Sequence, residues 1–272
     1  MKKYLIIFSI LFTMLQTKAQ NYNLIIGTYT NKGNSEGMYV YDFDSKTAGT
    51  KPLSVITNVS NPSYLTLSKN NDFLYSVYED GTNSAASAFK FDVQTGTATF
   101  LNKEATKGAN PCFILTDGKN VITANYTGGS ISVFGIKSNG SLTNIKQNLQ
   151  HTGSGPDRRQ ASAHVHQVLF SPDKKYVIAN DLGEDKIYIY HYDANAPQPL
   201  TVKTSVKTNA GSGPRHLVFS PNGKFAYLAH EFNGKISAYS YKDGNLTLLQ
   251  EAETVAKDFK GKTHFIHGNH DW

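Results

Sequence analysis

Four stretches of this chain begin alike, and that repetition limits its fold more than any other feature. They are Asn61-Pro62-Ser63-Tyr64, Asn110-Pro111-Cys112-Phe113, His164-Val165-His166-Gln167 and Gly213-Pro214-Arg215-His216. With Pro62, Pro111, Val165 and Pro214 taken as equivalent, the intervals are 49, 54 and 49 residues. That is the spacing of propeller blades. Within the units an apolar strand (64–67, 168–170, 217–219) runs into a turn such as Ser171-Pro172-Asp173-Lys174 or Ser220-Pro221-Asn222-Gly223. A second strand follows (176–179, 225–229), because turn residues between short apolar runs reverse the chain. A third strand alternates apolar and polar residues, as in Ile131-Ser132-Val133-Phe134 and Ile187-Tyr188-Ile189-Tyr190. Three strands and a less regular fourth make a blade. No ten-residue amphipathic helix separates the strands, which excludes a doubly wound α/β fold. The sequence therefore predicts an all-β propeller over residues 20–260, with about five blade units. The first unit, strands 24–30 and 38–43 around Gly33-Asn34, reads as half a blade.

Residues 1–19 read as a cleaved signal peptide. Lys2 and Lys3 precede an apolar run over 4–15, and Thr17-Lys18-Ala19 is a small-x-small cleavage site. The run is shorter than the ~20 residues needed to span a bilayer, so a periplasmic or secreted protein with no stable membrane anchor is expected. Loss of Lys2, Lys3 and Lys18 lowers the 27 basic residues to 24 against 21 acidic ones, a balance of +3. That leaves no charge argument for nucleic acid as a partner. Cys112 is the single cysteine, so no internal disulfide staples the fold.

Six motifs occur in order at blade spacing: Gly27-Thr28-Tyr29-Thr30, Asn110-Pro111-Cys112, Asn125-Tyr126-Thr127-Gly128-Gly129-Ser130, His164-Val165-His166-Gln167, Asp181-Leu182-Gly183 and Gly213-Pro214-Arg215-His216-Leu217. Together they resemble the lactonase-type 6-phosphogluconolactonases and the related carboxymuconate-lactonising enzymes, over residues 24–257. The resemblance implies a seven-bladed propeller, a small-molecule lactone as substrate, no cofactor, and an active site at one mouth of the central channel. It assigns His164 or His166, Arg215 and Glu231 to catalysis, with a further Arg from a sixth blade that has no counterpart here. The repeat pattern stops after Glu253, about two blades short of seven. An incomplete ring and an atypical tail over 261–272 are therefore expected.

The residues themselves suit that chemistry. His164 and His166 lie two apart in a predicted strand and should point the same way. Arg215 takes the place of His166 in the next repeat, so Ser63, Cys112, His166 and Arg215 should form part of a ring around the mouth. Opening a lactone needs a base beside the attacking water and positive donors beside the developing oxyanion. Arg215 suits the second task, and either Glu231 or a neutral His suits the first. Arg159, in the loop Arg158-Arg159-Gln160, and Asn125 and Asp181, in the motifs above, are the candidate substrate contacts. No metal is expected, because no carboxylate lies at ligand spacing from the His pair, although Asp181 and Glu231 could converge. Cys112 on an inner strand reads as packing. The tail segment Gly268-Asn269-His270-Asp271, with His264 and His267, is similar to a metallophosphoesterase motif, but the propeller pattern occupies the region where the other ligands would lie. Two further functions compete with lactone hydrolysis: lactonisation of a muconate, and a non-catalytic propeller that binds a ligand.

Overall fold

The computed structural model describes residues 21–256 and 258–259. The expected leader over 1–19 and the tail over 261–272 lie outside them. The described residues form 19 strands in five antiparallel sheets. The second sheet is β4 (Leu65–Leu67), β5 (Phe73–Tyr78), β6 (Ala85–Asp92) and β7 (Thr97–Ala105). The third is β8 (Pro111–Thr116), β9 (Asn120–Asn125), β10 (Ser130–Ile136) and β11 (Leu142–Gln150). The fourth is β12 (Val165–Phe170), β13 (Tyr176–Asp181), β14 (Lys186–Tyr192) and β15 (Leu200–Lys207). The fifth is β16 (Pro214–Phe219), β17 (Phe225–His230), β18 (Lys235–Lys242) and β19 (Asn245–Glu253). Each is a meander in chain order, and the first strands β4, β8, β12 and β16 adjoin one another. This is the propeller that the repeat predicts.

The first sheet is larger than the half blade expected. It holds β1 (Asn21–Ile26), β2 (Met38–Asp44) and a third strand, β3 (Gly49–Ile56). Pro52 disguises β3 in the sequence, since proline lacks the N–H that a strand interior needs. Here it sits opposite Tyr41 at a register shift on the outermost strand, where that N–H is not required.

The core lies between sheets rather than within one. Met38, Val40 and Ile56 of the first sheet pack on Leu74, Phe89 and Phe91 of the second. Tyr75, Val77 and Ala86 meet Ile114, Val121 and Phe134; Ile122 and Ile131 meet Val168 and Val177; Ile178 and Ile189 meet Leu217, Leu228 and Tyr239. Strand alternation supplies both faces of each inner sheet. At the two ends the outward faces carry exposed apolar side chains: Tyr22, Leu24 and Ile26 on the first sheet, Val218, Tyr227 and Phe225 on the fifth.

One irregularity positions the site. In β8, β12 and β16 the pairing with the next strand skips one residue, between Pro111 and Phe113, Val165 and Gln167, and Pro214 and His216. The extra residues are Cys112, His166 and Arg215. A bulge of this kind turns its side chain out of the regular alternation. Asn61, Asn110 and Gly213, one residue before each repeat proline, have φ of 43°, 50° and 64°. Asn and Gly tolerate that left-handed turn. A Cβ on Gly213 would also lie 2.7 Å from the Phe232 ring.

Candidate active site

The residues that immediately follow each second strand are Glu79, Tyr126, Leu182 and Glu231, and the bulged His166 and Arg215 meet Tyr126 and Glu231 respectively. In the fifth sheet the two positions are bonded, with Arg215 Nε donating to Glu231 Oε2 at 2.9 Å. Arg159, from the turn 158–160 after the third sheet, donates through Nη2 to Glu231 Oε1. Its guanidinium also lies 4.7 Å from the centre of the Phe232 ring and 3.4 Å from the Tyr126 hydroxyl. Glu231 is thus a nearly buried carboxylate, 8 % exposed, held between two guanidinium groups. One negative charge against two positive ones leaves this side of the mouth cationic, as suits an oxyanion.

Tyr126 organises the histidines. Its ring stacks on His164 at 4.6 Å and meets His166 edge-on at 5.6 Å. His166 in turn meets His216 edge-on at 4.9 Å, and His216 Nδ1 lies 3.4 Å from Arg215 Nη1. His164 precedes β12 instead of lying within it, so strand parity does not account for the pair. Both histidines reach Tyr126, His166 as the bulged residue itself and His164 from the segment just before the strand. His164 Nδ1 lies 2.9 Å from the Tyr126 carbonyl oxygen. A carbonyl only accepts, so Nδ1 carries a proton, and in the neutral ring this tautomer leaves the lone pair on Nε2. The sequence left the base open between Glu231 and a histidine. Two arginines engage both Glu231 oxygens, whereas His164 retains an uncommitted basic nitrogen.

Of the expected site residues, Arg159, His164, His166, Arg215 and Glu231 come together. Asn125 and Asp181 do not join them, and the expectation that they contact substrate is corrected. Both are fully buried at the ends of β9 and β13. Asn125 Nδ2 donates to Ser130 and Ser132 at 3.0 and 2.8 Å, inside its own blade. Asp181 Oδ1 accepts from the backbone N–H groups of His164, Gly183 and Glu184 at 2.8, 3.0 and 3.1 Å. Its Oδ2 faces His151 Nδ1 at 2.7 Å. Nor do Asp181 and Glu231 converge on a common point; Asp181 joins His151 and Glu184 instead. Those three offer ligand atoms within 4.8 Å of one another. Most of their atoms are committed, with Tyr190 OH 2.5 Å from His151 Nε2 and Lys186 Nζ 2.5 Å from Glu184 Oε2, while Glu184 Oε1 makes no hydrogen bond to a described residue. Lys186 already sets a positive charge against Glu184, and His151 Nδ1 and Asp181 Oδ2 face each other, so the donor set does not fit a metal.

Cys112 faces the same mouth, with Sγ 3.3 Å from the His166 carbonyl oxygen. Burial, reinforced by the negative charge of Glu79, pushes its thiol well above the usual range, which disfavours the thiolate a nucleophile requires. Three neighbours escaped sequence reasoning: Tyr29, Glu79 and Tyr126. Glu79 was there to be found, because it lies 17 residues after Pro62, as Glu231 does after Pro214.

A family model described as Lactonase, 7-bladed beta-propeller matches residues 23–268. A 6-phosphogluconolactonase of Bacillus subtilis is 35 % identical over 238 residues, covering 86 % of this chain and 67 % of its relative. One from Formosa agariphila is 36 % identical over 241 residues, covering 86 % and 68 %. The solved structure of the Pseudomonas aeruginosa periplasmic gluconolactonase PpgL superposes with a TM-score of 0.84 at 38 % identity, covering 89 % of this chain and 71 % of that one. Repeat, fold and these matches agree that this chain belongs to the lactonase family of seven-bladed β-propellers.

Proposed function

We propose that this protein hydrolyses a sugar lactone at the mouth formed by Arg159, His164, His166, Arg215 and Glu231. The observation that carries the reading is the division of labour there. Glu231 fixes the Arg215 guanidinium, while the Tyr126 carbonyl fixes the His164 tautomer with Nε2 free. Water gives a proton to Nε2 and attacks the lactone carbonyl carbon. The carbonyl oxygen takes up negative charge, which Arg215 stabilises as an oriented donor. When the carbonyl re-forms, the bond to the ring oxygen breaks, and that oxygen leaves as a hydroxyl with the proton returned from the imidazolium. The product is an open-chain hydroxy acid. Arg159, half exposed, steers the anionic product or an anionic substituent.

Location favours an unphosphorylated aldonolactone. The leader read over 1–19 implies export, and the similar PpgL is a periplasmic gluconolactonase. The test is gluconolactone hydrolysis followed by pH-stat. Arg215→Ala should lower kcat/KM by about 100- to 1000-fold, the ~3–4 kcal/mol that one oxyanion donor supplies. His164→Asn should lower kcat comparably to general-base loss, about 100-fold or more. Unchanged rates in both variants would sink the assignment.

A further inference from the structure

The mouth holds a second built carboxylate that the hydrolytic scheme does not use. Glu79 occupies in the second sheet the repeat position of Glu231 in the fifth, and it is 9 % exposed. Its partner is Ser63, which holds the repeat position of Arg215 and whose hydroxyl donates to Glu79 Oε1. Tyr29 OH donates to the same oxygen at 3.3 Å. Neither partner carries a charge, in contrast to the two arginines on Glu231. Oε2 makes no hydrogen bond to a described residue.

The position is rigidly set from behind. Asn61 Oδ1 accepts from the backbone of Thr30 and Asn31 at 2.9 and 3.0 Å, and its Nδ2 donates to the Glu79 carbonyl at 2.9 Å. One side chain thereby ties the Tyr29 segment to Glu79. Tyr29 keeps its ring half exposed beside the carboxylate. Cys112 lies between this cluster and the Arg215–Glu231 pair, feeling the charges of both. A preorganised acceptor next to an exposed aromatic face is the equipment for binding a hydroxylated ring: the apolar face lies on the aromatic and the hydroxyls donate to the carboxylate.

We propose that Glu79, held by Ser63, Tyr29 and Asn61, is a specificity residue that accepts hydrogen bonds from the hydroxyl groups of a polyhydroxylated lactone. This rests on the hydrolytic reading above. The experiment compares gluconolactone with δ-valerolactone, which has the ring but no hydroxyls. Glu79→Gln should lower kcat/KM for gluconolactone about tenfold, mainly through KM, and leave valerolactone within about twofold. Arg215→Ala should lower both alike. Equal losses on the two substrates, or no loss on either, overturn the proposal. Calorimetric titration with the non-hydrolysable gluconolactam gives a readout without turnover, and Glu79→Gln should weaken it about tenfold. A wild-type protein that cleaves neither lactone but binds the lactam through Glu79 overturns hydrolysis and keeps the hydroxyl site. Binding that ignores Glu79, or no binding, overturns the site itself.

Discussion

Asp181 and Glu231 occupy adjacent positions of the blade repeat, one closing a second strand and the other just beyond it. That single step separates structure from chemistry. In the third, fourth and fifth sheets the strand-end position is still inside the blade, and its occupants there, Asn125, Asp181 and His230, are fully buried, whereas Tyr78 in the second sheet is partly exposed. Asp181 is saturated there by three backbone donors and His151. In the fifth sheet the next position turns toward the mouth, and there Glu231 meets two arginines from different parts of the chain. A carboxylate in this fold lies at the mouth or inside the blade according to one residue of offset.

The comparison breaks most readily at Asp181. Asp181→Ala should lower the unfolding free energy by about 3–5 kcal/mol, because it strands buried donors and a buried histidine. The folded fraction should lose only severalfold in kcat/KM, since Asp181 holds the His164 backbone but not its ring, as read by urea unfolding alongside activity per folded molecule. A catalytic loss without a stability loss would show the strand-end position reaching the mouth after all.

His230, the same position in the fifth sheet, offers a second test through pH. Its Nε2 lies 2.7 Å from Ser237 Oγ, which donates to Glu251 at 3.1 Å, and burial pushes its pKa from 6.5 down to about 4. As pH falls below about 6.5 the unfolded chain takes up this proton before the folded one does. Stability should therefore decline between about pH 6.5 and pH 4, by up to roughly 3 kcal/mol from this group alone. His230→Gln should remove that part of the slope. Identical pH profiles for variant and wild type would mean that His230 is not sealed as described. The smallest effect belongs to Arg159, whose side chain is 46 % exposed. Arg159→Ala should raise KM severalfold with little change in kcat, since an exposed ion pair contributes about 1 kcal/mol or less.

The fold was legible because the repeat carries its own punctuation. Asn-Pro and Gly-Pro starts, Ser-Pro turns and alternating third strands recur at blade spacing; the less regular fourth strands were expected without being placed, and β3 escaped, hidden by Pro52. The site was legible where it coincided with those starts, at His166 and Arg215, or lay close to them, at His164. It failed where the rule was strand parity. Parity places His164 and His166 together for the wrong reason, since His164 lies outside the strand and His166 is itself the bulged residue, and it cannot show that Asn125 and Asp181 end their strands facing inward. His151 is separated from Asp181 by 30 residues and belongs to no motif, so its pairing emerges only on folding. Glu79 sits in an Glu-Asp-Gly turn that reads as ordinary solvent-facing loop until the repeats are aligned beyond their starts.

The recurring bulge has an evolutionary reading. Because each blade presents its mouth residue through the same backbone excursion, Cys112, His166 and Arg215 are interchangeable sockets in a common frame. A substitution in one alters the chemistry offered to the substrate without rewriting any strand register. New specificities can accordingly be assembled one blade at a time, and grafting an arginine or a histidine into the Cys112 socket is the simplest way to redirect this mouth toward a different acid.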